Sequence, residues 1–504
     1  MTEFKKHLSF KIFTNLLKIP INLVLNAIFP RLLGPVAYGN FDFLQDSASK
    51  IIGFFDTGSS IAFYTRLSQD YTNHKLIKFY WVIVAALCCL YAIFVISTKL
   101  FGFSDSVWPK QEFLMIVLSS VLGIVTFISS TLILITDAAN LTVGAEKVRM
   151  FHMLISVLVY GGVLWFFQST LLSTFFLIQI FLIVLLIAGC FWVLYTSNVS
   201  IFTKDSLTMS DIKVYINYFW KFSNPLLVYS LVGLLTGIGA RWILQQFGGA
   251  IQQAYFGLSA KIGGFVLLFS SALMPLIIRE FSRLFAQSNQ QNLKRLFVLS
   301  YKVLYVISMF IALFVFFNAA IITDFLGGKQ FQEAVAVLSI MAFFPVHQSL
   351  GQINGSFFYS TNRNIYHRNI GLFFMPLSLV ISFFFIAPKE YFGLDLGAEG
   401  LALQMVLVQL LTVNVSSYVN SRFLKIAYLP LLFYQVIVFI LFYFAGYLSY
   451  LCSSIITENS FFEIFIFISI FTTIIGGLLF IFPILSGFKT RAEFIELMPF
   501  RWKK

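Results

Sequence analysis

Fourteen apolar runs follow one another along this 504-residue chain, joined by short polar connections. Each is long enough to cross a hydrocarbon layer about 30 Å thick as a helix of about 20 residues. Inside such a layer every backbone N–H and C=O must be satisfied within the segment, so a bundle of helices is the fold these runs permit. They centre on the windows 11–33, 38–65, 77–99, 112–136, 148–168, 170–195, 215–240, 250–278, 297–323, 333–359, 366–387, 397–421, 426–450 and 461–486. Composition agrees: 59% of the residues are hydrophobic and 11% charged, where a soluble domain carries about 25% charged residues. The expected fold is an all-α integral membrane protein with about fourteen transmembrane helices.

The connections leave no room for an extramembrane catalytic domain, and no phosphate-binding GxxxxGK[ST], no HExxH and no CxxC occurs. The expectation is a non-enzyme without cofactor or metal. Cys88, Cys89, Cys190 and Cys452 have no disulfide spacing and are expected to pack as small apolar side chains. Lys5 and Lys6 precede the first run, but no small-residue cleavage site follows it, so the run is expected to remain as a helix.

The net charge of +13 raises the question of nucleic acid, and its distribution answers it. Arg31, Lys99, Lys110, Arg241, Lys329 and Lys389 fall on one side of the fourteen-span frame. Lys18, Lys50 and Lys261 fall within spans, and every other basic residue falls on the opposite side. Excess Lys and Arg mark the cytoplasmic side, so both termini are expected there, as an even number of spans requires.

The second run, YGNFDFLQDSASKIIGFFDTGSSIAFYTR from Tyr38 to Arg66, carries Asp42, Asp46, Lys50 and Asp56. Each charge at a helix centre adds about 2.5–3.5 kcal/mol to insertion, so the cluster is expected to face protein or water. Asp42, Asp46 and Lys50 are spaced i, i+4, i+8 along one face, and Asp46 and Lys50 can pair within the helix. Asp56 is a candidate for titration or for pairing with Lys18 or Arg66. Lys18 lacks an acid at i±3 or i±4 and lies near enough to a membrane face to snorkel. Pro20 interrupts the first run, and the chain is expected to turn between Pro30 and Pro35.

The chain also repeats itself. SASKIIGFF, Ser47–Phe55, aligns with LSAKIGGFV, Leu258–Val266, placing Lys50 on Lys261 and Gly53 on Gly264. Lys11 with Lys221, and Arg31 with Arg241, align at nearly the same offset. A second proline, Pro225, falls in the seventh run as Pro20 does in the first. The repeat unit is therefore six helices, and two such units share one orientation. The expected organisation is a six-helix lobe over 1–200, a second over 201–425, and two further helices with a basic tail over 426–504. The tenth run holds another polar group: His347, a candidate proton carrier or a hydrogen-bonded packing residue, and Gln348, Gln352 and Asn354.

Arg31-Leu32-Leu33-Gly34-Pro35, Tyr38-Gly39, Phe55-Asp56-Thr57-Gly58 and Ala62 resemble the opening of the Wzx-type polysaccharide-biosynthesis flippases of the multidrug/oligosaccharidyl-lipid/polysaccharide exporter superfamily. Arg241-Trp242-Ile243-Leu244, Tyr255, Ala260-Lys261-Ile262 and Pro275 resemble that family's second half. Ala240 stands before Arg241 where members often carry an acid, and the first run has no acid of the kind that drug/sodium antiporters of the superfamily use. The resemblance implies movement of undecaprenyl-diphosphate-linked oligosaccharide repeat units, for O-antigen or capsule, across a bacterial inner membrane. It also implies membrane lipids, a polysaccharide polymerase and a chain-length regulator as partners.

Under that reading Lys18, Lys50 and Lys261 form a cationic cavity for the diphosphate, and Gln348, Gln352 and Asn354 contact sugar hydroxyls. Asp42, Asp46, Asp56 and His347 serve coupling or pairing, and transport proceeds by alternating access. The alternatives are a drug or cation exporter of the same fold, a lipid II flippase, and a polysaccharide polymerase or ligase. The last class generally needs a long external loop.

Overall fold

The computed structural model describes residues 2–197, 207–224, 227–457 and 459–487. Pro225, Lys204 and the basic C-terminal tail lie outside the described residues. Among those described the chain is all helix, with no strand. The helices are α1 Thr2–Asp56, α2 Ser59–Gln69, α3 His74–Leu100, α4 Ser104–Val107, α5 Phe113–Ala138, α6 Thr142–Phe167, α7 Leu172–Thr196, α8 Met209–Ser223 and α9 Leu227–Ala286. They continue with α10 Gln290–Phe317, α11 Ala319–Gly327, α12 Ala334–Met341, α13 Phe344–Ser360, α14 Asn364–Ile386, α15 Gly397–Leu424, α16 Leu429–Ile456 and α17 Ser460–Ile481.

Twelve stretches among the described residues are long and apolar enough to cross a membrane, and two of these, Leu17–Asp56 and Leu227–Gly264, run to 40 and 38 residues. A straight helix of that length would extend about 60 Å, twice the hydrocarbon thickness. Both are folded back at a glycine with positive φ, Gly34 (φ 70°) and Gly249 (φ 70°), a conformation that costs glycine no Cβ clash. Side-chain contacts record the reversal. Phe29 and Phe41 meet with ring centroids 6.5 Å apart, and Gln253 Nε2 donates to the Arg241 carbonyl at 2.6 Å. Each pair is twelve residues apart, a separation of about 18 Å along a straight helix. Dividing the two long stretches at their glycines gives the fourteen expected spans of a multi-pass membrane protein.

Four expected details are corrected. Pro20 lies inside an unbroken helix, and the first break comes at Gly34. The second run is not one helix to residue 65. Thr57 (φ 40°) and Gly58 (φ 77°) stop α1 at Asp56 and restart the chain as α2. The seventh run is likewise not one helix, because α8 and α9 are separate elements and only α9 belongs to an apolar span. The tenth run is split between α12 and α13 just ahead of Pro345, which occupies the first turn of α13, where a missing N–H costs nothing.

The chain divides into two compact units, the first ending at Gly257 and the second beginning at Leu258. The boundary falls within α9. In the first unit the α1 hairpin packs on α6 and α7 through an aromatic cluster. Phe29 meets Tyr160 at 4.8 Å and Phe175 at 5.0 Å, and Phe41 meets Phe175 at 5.0 Å. Such pairs are worth about 0.5–1.5 kcal/mol each beyond area burial. Gly39 lets the second segment of α1 press on the Ala250 carbonyl, and a Cβ there would strike that oxygen.

The second unit packs α10, α13, α15, α16 and α17 around a core that includes Phe281, Phe297 and Phe357. Its helices are also joined by buried polar bonds. Asn420 Nδ2 donates to Asn354 Oδ1 at 2.8 Å, Asn354 Nδ2 to Ser417 Oγ at 2.9 Å, and Gln435 Nε2 to Tyr301 Oη at 2.7 Å. In lipid, helices are held by close packing together with hydrogen bonds of this kind, worth about 0.6–2 kcal/mol each.

Candidate functional site

The charges of the second segment of α1 form an alternating ladder with α9 inside the first unit. The Arg241 guanidinium donates to Asp42 Oδ2, and its Nε lies 3.6 Å from Asp46 Oδ2. Asp46 Oδ2 in turn accepts from Lys50 Nζ at 2.6 Å, and Lys50 Nζ also donates to the Gly237 carbonyl at 2.9 Å. The expected i, i+4 pair between Asp46 and Lys50 is therefore made. The Phe256 ring covers the Arg241 guanidinium, 4.8 Å from its centroid.

The ladder runs from buried to partly exposed. Asp42 is 8% exposed and Arg241 7% exposed, whereas the Lys50 and Asp46 side chains are about one-third exposed. The buried end is held by charge compensation, because either ion alone would face a desolvation penalty of several kcal/mol. At the other end the Lys50 ammonium is partly exposed while bonded to Asp46 and to the Gly237 carbonyl. Arg241 is a residue that sequence reasoning placed at an outer loop. It lies eight residues ahead of Gly249, inside the bundle, whereas Arg31 lies three residues ahead of Gly34 and is exposed.

Lys18 is held by Glu146 of α6, whose side chain is 1% exposed, and Glu146 also accepts from Arg149 Nη1 at 2.6 Å. One buried carboxylate thus serves two cations, and these three groups carry a net positive charge. Glu146 was missed because it stands just ahead of Lys147 and Arg149 in a stretch that reads as a loop. The signal that could have found it is the acid-to-base spacing i, i+3 to Arg149.

Asp56 does not pair with Lys18 or Arg66. Its carboxylate accepts from Ser59 Oγ at 2.6 Å, from the Ser60 N–H at 3.0 Å and from Ser60 Oγ at 2.7 Å, which satisfies the first turn of α2. Arg66 instead lies over the rings of Tyr215 and Tyr218, 5.4 and 4.7 Å from their centroids.

In the second unit Lys261 is half-buried on α9, twelve residues after Gly249. His347 is 8% exposed, and its Nδ1 has no hydrogen-bond partner, so it is not the satisfied packing residue on that atom. Gln348 Oε1 accepts from Gln409 Nε2 at 2.6 Å. Gln352 is half-buried, with its Oε1 unpartnered. Asn354, expected at the sugar, is 1% exposed and fully engaged with Leu350, Ser417 and Asn420, so in this conformation it joins α13 to α15.

Two grooves lie elsewhere. One, about 390 Å³, lies between α6 and α7 in the first unit and includes Lys147 and His152 in its lining. The other, about 430 Å³ and apolar, lies along α9, α10 and α17 in the second. Neither is lined by Lys18, Lys50 or Lys261. No group of three or more metal-ligating side chains occurs among the described residues.

No protein-family model matches the sequence, and no curated protein matches it. Solved structures do match in fold. An inward closed conformation of the lipid II flippase MurJ has a TM-score of 0.69 at 12% identity, covering 94% of this chain and 99% of that one. An inward-facing multidrug resistance MATE family transporter of the MOP superfamily has a TM-score of 0.60 at 13% identity, covering 80% of this chain and 94% of that one. A MOP superfamily transporter from Pyrococcus furiosus has a TM-score of 0.50 at 12% identity, covering 84% of this chain and 95% of that one. At these identities the likeness is one of fold: this chain has the architecture of MOP superfamily transporters.

Proposed function

We propose that this protein is a flippase that moves undecaprenyl-diphosphate-linked oligosaccharide repeat units from the cytoplasmic to the outer leaflet of a bacterial inner membrane, by alternating access. The observation that carries the reading is the charge ladder of Asp42, Arg241, Asp46 and Lys50 in a membrane-spanning bundle, with its cationic end partly exposed. A diphosphate headgroup displaces Asp46 from Lys50, exchanging one anionic partner for another without leaving the ammonium desolvated. Lys18 supplies positive charge from the cluster around Glu146. Lys261 is assigned a like role within the second unit on the strength of the sequence repeat that aligns it with Lys50. Gln348 and Gln352 are assigned to the glycan.

The likeness to the lipid II flippase supports a lipid-linked substrate in preference to a drug. It runs over 94% of this chain, against 80% for the multidrug transporter. Lipid II itself is the second reading, and the two are separated by genetics. Lys50→Ala and Lys261→Ala are each expected to abolish surface polysaccharide while leaving protein level and growth unchanged. Wild-type polysaccharide in both variants removes the site, and loss of viability on deletion of the gene moves the assignment to lipid II.

A further inference from the structure

Helix α8, Met209–Ser223, lies between two membrane spans yet is not itself long or apolar enough to be one. It is fastened to the first unit along one side. Tyr215 and Phe219 are buried, with ring centroids 5.2 and 5.9 Å from Phe79, and Tyr218 Oη donates to the Ala62 carbonyl at 3.2 Å. At its start Thr208 and Asp211 form a reciprocal capping box, and Lys75 Nζ bonds Asp211 Oδ2 at 2.9 Å. The bond from Lys75, with those from Thr208, holds the Asp211 carboxyl down at about 2, so the only acid of the helix is ionised and already matched by a cation.

The side adjoining that buried face is unlike a water-facing surface. Met209, Ile216 and Trp220 recur at helical spacing on one stripe and are 77%, 55% and 59% exposed. At 3.6 residues per turn the exposed Lys213 stands about 40° from the centre of that stripe, and the exposed Lys221 lies further round on the same side, beyond Asn217. An apolar stripe that includes tryptophan, set between a docked face and a face that carries lysines on a short helix, has the side-chain order of an element lying in a membrane interface.

We propose that α8 is an interfacial anchor that binds anionic phospholipid. The Met209, Ile216 and Trp220 side chains enter the acyl boundary, and Lys213 and Lys221 contact lipid phosphate. Because α8 is fixed to α2 and α3 by Tyr215, Tyr218 and Phe219, headgroup binding there holds the end of the first unit at the interface. The lipid is thus a structural and regulatory partner separate from the transported substrate. The proposal does not rest on the identity of that substrate.

The test uses the full-length protein in vesicles of phosphatidylcholine alone and of phosphatidylcholine mixed with phosphatidylglycerol, with lipids brominated at defined depths. The quenching that Trp220→Phe removes reports Trp220 alone. It is expected to be strongest for bromine just below the headgroups and stronger in the phosphatidylglycerol vesicles. The Lys213→Gln/Lys221→Gln variant, unchanged in thermal unfolding in detergent, is expected to lose roughly thirty-fold in preference for phosphatidylglycerol, from about 1 kcal/mol per lysine at an anionic surface. Three results overturn the proposal. One is quenching of Trp220 by aqueous iodide in preference to bromolipid, which assigns the stripe to water or to a protein partner. Another is quenching strongest at the bilayer centre, which makes α8 part of a span. The third is an unchanged lipid preference in the double variant.

Discussion

The Arg241 guanidinium rests on the Asp42 carboxylate, joining the second segment of α1 to the first segment of α9 across 199 residues of sequence. Both groups are buried, and Arg241 reaches onward to Asp46, so this contact closes the buried end of a ladder whose other end is Lys50. Packing of the first unit therefore fixes the ladder in place.

Removing one partner of that pair should cost far more than removing both. Asp42→Ala leaves Arg241 buried without its carboxylate and is expected to destabilise the protein by about 3–5 kcal/mol. Asp42→Leu with Arg241→Leu is expected to recover most of that loss. Thermal unfolding in detergent, followed by size-exclusion chromatography, measures both. Equal stability of Asp42→Ala and wild type would mean that the contact carries no energy.

Glu146→Gln turns a carboxylate shared by Lys18 and Arg149 into a neutral group, leaving two cations facing each other. Because Lys18 can extend toward the membrane face and Arg149 is partly exposed, the expected cost is smaller, about 2–3 kcal/mol. The same unfolding assay reads it. Combining the change with Lys18→Met is expected to restore stability by removing one of the repelling charges.

Much of this was legible in sequence, and what was not has a common cause. The fourteen spans follow from length and apolarity, and the pair Asp46–Lys50 follows from i, i+4 spacing, because both are local. Asp42–Arg241 and Lys18–Glu146 are contacts between helices far apart in the chain, and no periodicity encodes them. Arg241 was misplaced for a related reason. The repeat aligns it with Arg31, but the turns themselves come at Gly34 and Gly249, five residues out of step with that alignment. Asp56 is a different case. Asp-Thr-Gly-Ser-Ser is a helix-restart pattern in which an acid precedes two serines and accepts from both hydroxyls and one backbone N–H, and the capping role was readable there.

Asp56→Ala removes three hydrogen bonds at the first turn of α2. A lost cap of this kind is worth about 1 kcal/mol, with Asp56→Asn close to wild type. Export of polysaccharide in cells producing either variant is expected to continue. Complete loss of export at normal protein level in Asp56→Asn would show that the charge, rather than the cap, is what matters.

The docking of α8 should depend on pH in one narrow range. The Asp211 carboxyl is held at about 2 in the folded protein, against 3.8 ordinarily. Its contribution is therefore present in full above the ordinary value and is lost as pH falls from about 4 toward 2. Limited proteolysis of the segment around α8 is expected to accelerate over that range in wild type. In Asp211→Asn it should be fast already at neutral pH and flat with pH, and the same acid-induced acceleration in both proteins would assign the change to another group.

The central claim, that Lys50 takes the diphosphate headgroup at the partly exposed end of the ladder, is tested most directly by flipping in purified proteoliposomes. The measurement is the rate at which a fluorescent undecaprenyl-diphosphate glycan becomes accessible to a membrane-impermeant quencher. Wild type and Lys50→Arg are expected to flip it, and Lys50→Ala to be at least ten-fold slower with folding intact, as expected for losing about 1.4 kcal/mol or more of charged contact. Flipping by Lys50→Ala at the wild-type rate would contradict the account.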